Sequence, residues 1–339
     1  MVAITHESSM AVYNRLLRYP PEGPLVPSKP SRPDAYAFNG KSVVALVRCG
    51  NRIKGIKEAI SLMGGLEPLV EGVDGEILIK PNCNTDDPYP RDTHPETVRT
   101  VVEALIRAGF RADKIVLGET SGRARGLPTR HTLENIGMKA VVDNLGLQVA
   151  CFEEEEWATV KPPGSSYWPD GIKIPRKVYE AERVILAPIM RPHSTATFTI
   201  SMKLAVGMLD SVGREWLHDG EDHHEKLVEL NLAYSADLIV ADATQIITGY
   251  SPSVVAEPRV IVAGSNRVAT DAVCVALMKL HGADRVSDRP VLEHGQFTFA
   301  RGLGLGSPLL ADIDLRTSDL VGDSRFESLA SGIEEELRG

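Results

Sequence analysis

The chain has four cysteines, Cys49, Cys83, Cys151 and Cys274, and none pairs with another at CxxC spacing. That argues against an iron–sulfur cluster or a zinc ribbon held within the chain. Scattered thiols in a chain of 339 residues also argue against a disulfide framework and fit a reducing compartment. No run of about 18 apolar residues occurs, so no membrane-spanning helix is expected. The first residues lack the continuous apolar core of a secretory signal, and a cytoplasmic protein is expected. Excess positive charge is missing too. The net charge is −9, which argues against a nucleic-acid partner, since phosphate binding needs a basic surface. What remains is a chain 43% apolar and 24% charged, long enough for a substantial core.

Residues 1–40 read as an irregular arm, because "RYPPEGPLVPSKPSRP" carries six prolines. The arm is expected to wrap the body or a neighbouring subunit, most simply in a homodimer. From Ser42 strand-like and helix-like runs alternate. "SVVALVR", "EILIKP", "KIVLGE", "LQVACF", "RVILAPI", "DLIVADA" and "RVIVAG" are mostly continuous apolar runs, as in strands buried on both faces of a parallel sheet. "PETVRTVVEALIRAG" and "RVATDAVCVALMKLHG" read as helices between them. The pattern predicts an α/β protein with mostly parallel βαβ-type sheets in two lobes with a cleft, 41–151 and 183–310. An irregular insertion or flap, 152–182, lies between the lobes, and a tail, 311–339, packs on the body.

Ligands of open parallel sheets bind beyond the carboxyl ends of the strands, and polar residues recur there. Lys80, Asn82, Asn84, Asp86, Arg91 and His94 follow the second strand. Glu119, Thr120, Ser121, Gly122 and Arg123 follow the third, in a loop "GETSGR" whose amides could cradle an anion. Arg191, His193 and Lys203 follow "RVILAPIM". Asp242, Thr244, Gly249, Tyr250 and Ser251 follow "DLIVA", and Ser265, Asn266 and Asp271 follow "RVIVAG". Lys203 stands out, because its surroundings, "FTISMKLAVGML", read as a buried helix that is otherwise apolar or small.

Each residue also has a structural reading. Lys80 could pair with a carboxylate, and His94 could be a surface residue in a turn capped by Asp92 or Thr93. Asp271 could hold a neighbouring loop. In "HDGEDHHEKLVELNLAY", His218 and His224 are candidate ligands of a divalent metal (nickel, iron, manganese and zinc being indistinguishable), or solvated groups at an acidic helix start.

Taken together, "EILIKPNCN", "THPETVRTVVEALIRAG", "KIVLGETSG", "APIMRPHSTATFTISMKLAVGML", "HHEKLVELNLAYSADLIVADA" and "VIVAGSNRVATDAVCVALM" resemble the family named domain of unknown function 362, across roughly residues 42–305. Many members of that family carry a ferredoxin-like cluster domain, whose cysteines this chain lacks. Leu204 stands where the family usually has Asn, and "ITGYSP" where a glycine-rich turn is usual. More distantly, His94, His193 and Lys203 resemble, in order and spacing, residues of the nickel-pincer lactate racemase family. That resemblance implies His94 and His193 as an acid–base pair around a 2-hydroxy carbon, Lys203 as a cofactor or substrate lysine, and His218 or His224 as a metal ligand. The family's glycine-rich run before the lysine is replaced here by "TFTIS", so a pincer cofactor is not expected.

The resulting expectation is an isomerase-, epimerase- or lyase-like enzyme acting on a small carboxylate. His94, His193 and Lys203 are the candidate catalytic residues, and Lys80, Asn82, Arg191, Glu119 and Ser121 the candidate binding residues. Two rival expectations are a cofactor-dependent redox protein and a non-catalytic anion-binding or assembly protein.

Overall fold

The computed structural model describes residues 8–123, 125–249, 253–322 and 324–338. All seven predicted strands form, and they lie in one eight-stranded sheet. The strands are β1 (Ser42–Arg48), β2 (Ile77–Pro81), β3 (Ile115–Glu119), β4 (Gln148–Cys151), β5 (Arg183–Ala187), β6 (Leu238–Ala243), β7 (Val260–Gly264) and β8 (Ile313–Asp319). Their spatial order is β8-β1-β7-β6-β5-β2-β3-β4. Strands from both sides of the 152–182 segment therefore share one sheet, with β5 seated between β2 and β6 and parallel to both.

Every strand but β7 runs the same way, since β7 is antiparallel to both β6 and β1. Polar residues after six of these strands and before β7 thus share one edge with the end of β8. Ser265 and Asn266 follow β7 and lie at the opposite edge, contrary to expectation. Asn266 there caps the helix Arg267–Leu280 by accepting from the amides of Val268 and Ala269.

The sheet is a core layer covered on both faces, which is why its strands are continuously apolar. Alternate side chains divide between the faces. Val43, Ala45, Val47, Ile77, Ile79, Ile115 and Leu117 meet the helices Arg52–Met63, Pro95–Arg107 and Met138–Leu145. Val44, Leu46, Val260 and Val262 face the helices Arg267–Leu280 and Arg325–Glu336. Leu78, Val116, Val184 and Leu186 face Trp157, Trp168, Met208 and Leu227 on that same second side.

The termini hold more regular structure than their sequence predicts. Within the arm, Ser9–Arg18 is a helix capped by the Ser8 hydroxyl, and the prolines begin only after it. Leu25–Val26 pairs with the hairpin Trp157–Val160/Ile172–Pro175 of the 152–182 segment, so the arm does wrap the body. The tail supplies edge strand β8, whose half-exposed polar side chains obscure its strand character, and the helix Arg325–Glu336. Among the described residues no helix is long and apolar enough to cross a membrane.

Candidate active site

The floor of the site is an ion pair between the ends of two neighbouring strands. Lys80, 1% exposed, pairs with Glu119, also 1% exposed. Lys80 Nζ also donates to the Pro81 carbonyl at 2.7 Å. Glu119 accepts from the amides of Cys83 (2.7 Å) and Thr120 (2.8 Å). Burying both charges is tolerable because each is paired and hydrogen-bonded. Gly207 lies against this pair: a Cβ there would sit 2.8 Å from Lys80 Nζ. The structural reading of Lys80 is therefore the one observed.

Lys203 is placed by a different device. The predicted helix "FTISMKLAVGML" is shorter than expected. Residues Arg191–His193 and Thr197–Thr199 form an antiparallel hairpin, and helix begins only at Ser201–Leu204, continuing as a 3₁₀ turn through Ala205–Met208. Asp271, fully buried in the helix Arg267–Leu280, sets that start. Its carboxylate accepts from the Ser201 amide (3.0 Å), the Ser201 hydroxyl (2.6 Å) and the Met202 amide (2.9 Å). Burial pushes its pKa up to about 6. Asp271→Ala leaves three buried donors without an acceptor. It is expected to cost about 2–4 kcal/mol in urea unfolding and to loosen the Lys203 turn.

A cavity of about 330 Å³ lies above the floor. It brings together seven of the candidate site residues, Lys80, Asn82, Glu119, Arg191, His193, Lys203 and His218. Lys203 has no hydrogen-bond or ion-pair partner among the described residues. Burial, then the charges of Arg191 and Arg214, push its pKa down to about 7. His193 is lowered to about 2 by burial and then by Lys203 and Arg191, so it is neutral at physiological pH. Its Nδ1 accepts from the amides of Thr195 and Ala196, both at 3.2 Å, which fixes its proton on Nε2. The hydroxyls of Thr120 and Thr199, which also line the cavity, are buried without a hydrogen-bond partner. The nearby acids are committed elsewhere: Glu119 to Lys80, and Glu215 to Tyr13 and Arg123. The cavity is thus cationic and suits a small anion.

Arg214 and Tyr13 are among the lining residues that were not anticipated. Arg214 is buried and straps the loop after β3, donating to the carbonyls of Ser121 (2.9 Å), Thr120 (3.1 Å) and Leu209 (3.1 Å). Its signal was present, since Ser211, Arg214 and Leu217 recur at helical spacing on the buried side of Ser211–His218. Tyr13 comes from the arm helix and hydrogen-bonds Glu215 at 2.9 Å.

Other predicted residues fall elsewhere. Ser121 is wholly buried and donates to the Cys83 carbonyl at 2.9 Å, a loop tie outside the cavity lining. His94 is not joined to His193. It is itself the N-cap of Pro95–Arg107, its Nδ1 accepting from the Glu96 amide at 3.1 Å. It lines a separate cavity of about 970 Å³ with Arg52, Tyr89 and Thr244, which shares no lining residue with the first. The cavity therefore does not bring His94 and His193 together; the histidines that line it with Lys203 are His193 and His218.

His218 and His224 do not converge on one point. His218 lines the cavity and its Nδ1 bonds the Arg214 carbonyl (2.7 Å), whereas His224 Nε2 meets the Thr195 carbonyl (3.2 Å) and lies outside that lining. Among the described residues no three His, Cys, Asp or Glu side chains are grouped to hold a metal. No step is therefore routed through a metal. Tyr250 and Ser251 lie outside the described residues.

Fold and site together define an α/β protein with a cationic, lysine-centred cavity at the carboxyl edge of a mostly parallel sheet. The chain belongs to the family described as Domain of unknown function (DUF362), whose model matches residues 77–276. That stretch contains Lys80, Glu119, Arg191, His193, Lys203, Arg214 and Asp271, but not Tyr13. The chain is 26% identical over 212 residues to the thylakoid-associated protein sll1697 of Synechocystis sp. (strain ATCC 27184 / PCC 6803 / Kazusa). That alignment covers 60% of this chain and 62% of the relative, so the chain spans less than two thirds of the relative's length. Among solved structures, it is similar to the lactate racemase apoprotein from Thermoanaerobacterium thermosaccharolyticum. The TM-score is 0.42 and the identity 12%, over 89% of this chain and 88% of that one.

Proposed function

We propose that the protein is an enzyme that binds a small carboxylate in the 330 Å³ cavity and moves a proton at the carbon beside that carboxylate. The outcome is an isomerisation or a lyase-type cleavage. One observation carries this reading: Lys203, partially buried in the cavity wall, has two guanidinium neighbours and no acceptor. A lone buried ammonium is costly, so such a site favours either an uncharged amine or a bound anion.

The roles follow from charge. Arg191 and Arg214 provide the positive field that holds the carboxylate, and the Thr120 and Thr199 hydroxyls gain a partner when it binds. A carboxylate placed among these cations raises the proton affinity of the Lys203 amine, as a base about to accept a proton requires. His193, neutral with its proton on Nε2, is a hydrogen-bond donor to the oxygen on which enolate charge develops. Lys80 and Glu119 hold the floor rigid.

The test is solvent deuterium exchange. Lactate and malate are incubated with protein in D₂O and the C–H proton beside the carboxylate is followed by NMR. Exchange by the wild type and its loss in Lys203→Met supports the reading. A carboxylate that raises Tm without any exchange would leave an anion-binding protein instead.

A further inference from the structure

The acid–base reading treats Lys203 as a base, but the same geometry suits it to bond formation. We propose that Lys203 is a covalent nucleophile that captures the carbonyl carbon of a small 2-oxo acid as an imine. This rests on the cavity being a carboxylate site, as proposed above, and adds the substrate class.

Two lysines line the cavity and only one can react. Lys80 is tied down by its ion pair with Glu119 and its hydrogen bond to the Pro81 carbonyl. Lys203 has no acceptor among the described residues, and its neighbours Arg191 and Arg214 favour its uncharged form. Cationic neighbours and a desolvated position are the conditions that make a lysine amine nucleophilic. At pH 7 such an amine has roughly a thousandfold larger uncharged fraction than an ordinary surface lysine.

The guanidiniums select a carboxylate, and the amine selects a carbonyl. A compound with both groups on adjacent carbons can satisfy both at once, whereas an aldehyde lacks the anchor and a simple carboxylate the electrophile. A cavity of about 330 Å³ limits the compound to a few carbons.

The chemistry balances without any further reactant. The Nζ lone pair attacks the carbonyl carbon, the C=O π bond opens, and a proton passes from nitrogen to oxygen to give a carbinolamine. His193 Nε2–H and the Thr120 and Thr199 hydroxyls are donors available to the developing oxyanion. Protonation of the carbinolamine hydroxyl and departure of water then leave a C=N⁺ bond, and hydrolysis reverses both steps. The iminium is a stronger electron sink than the ketone, so it eases proton loss or carbon–carbon cleavage at the adjoining carbon.

Trapping tests the inference. The full chain is incubated with pyruvate and sodium cyanoborohydride near pH 7, then examined by intact mass and peptide mapping. The reduced adduct adds the mass of pyruvic acid less one oxygen atom. The expected result is one adduct at Lys203, exceeding labelling at any other lysine by about tenfold or more. It is lost in Lys203→Arg and Lys203→Met, and acetaldehyde, which has no carboxylate, gives at least about tenfold less. No adduct, label spread evenly over the lysines, or equal labelling by acetaldehyde would overturn the proposal. Lactate separates the two levels, because it has no carbonyl. If lactate raises Tm and exchanges its proton while pyruvate is never trapped, covalent capture fails and the acid–base reading stands. If lactate and pyruvate neither bind nor react, both fail.

Discussion

Lys203→Met eliminates proton exchange at the substrate carbon and at the same time makes the protein more stable at neutral pH. The activity loss is expected to be on the order of a thousandfold or more, because the reacting amine itself is removed. The gain in stability is expected to be about 1–3 kcal/mol, because an apolar side chain of similar length replaces a buried amine without an acceptor. Its sign follows from linkage. The folded-state pKa of Lys203 is pushed below the usual lysine value, to about 7. Above the unfolded lysine pKa neither state is charged, and Lys203 costs nothing. As pH falls towards 7 the unfolded chain takes up a proton that the folded chain refuses, and stability is lost; below about 7 the loss is constant. The advantage of Lys203→Met is therefore full at and below neutral pH and shrinks as pH rises towards 10. Urea unfolding of both proteins at pH 7 and pH 9.5 measures it. A variant less stable than wild type at pH 7 would mean that Lys203 has an acceptor after all. Activity retained in Lys203→Met would end the functional proposal.

Glu119→Gln should have the opposite effect on stability. It leaves the Lys80 ammonium buried with the Pro81 carbonyl as its remaining acceptor, and replaces a carboxylate that accepts two backbone amides by a weaker acceptor. Breaking one side of a buried pair costs about 3–5 kcal/mol, in a chain of this size a fall in Tm of roughly 4–7 °C. Its local consequences spread, since Cys83 and Thr120 lie in the two loops that carry Asn82, Asn84 and Gly122 to the cavity. Lys80→Met combined with Glu119→Gln removes the uncompensated charge and should recover part of the loss. If the double variant is no more stable than Glu119→Gln alone, the damage comes from the lost amide contacts and not from the unpaired lysine. Calorimetry on the two variants separates these contributions.

Several parts of this site are properties of local sequence. Continuous apolar runs identified the strands, because a strand covered on both faces has no polar side to show. Lys203 was conspicuous as a lone cation among apolar neighbours. Asp271 was legible as a residue tying down a loop, although its partners, Ser201 and Met202, lie 70 and 69 positions away. The arm helix Ser9–Arg18 was obscured by the prolines that follow it, and β8 by its exposed, polar edge position.

Other features depend on how distant segments are arranged. The direction of β7 puts Ser265 and Asn266 at the far edge, and no local pattern encodes that direction. His94 and His193 both follow strand ends, yet they belong to different layers. The helix that His94 caps packs through Val98 and Val101 on one face of the sheet, while the turn bearing Lys203 packs through Met202 and Leu204 on the other. Sequence alone determined that the chain builds a mostly parallel α/β sheet with cations at its carboxyl edge, since apolar periodicity and residue type are local quantities. Tertiary structure decided which of these cations are paired with an acid and which are not. Charge pairing depends on distance through space, and that distance separates Lys80, held by Glu119, from Lys203, which has no such partner among the described residues.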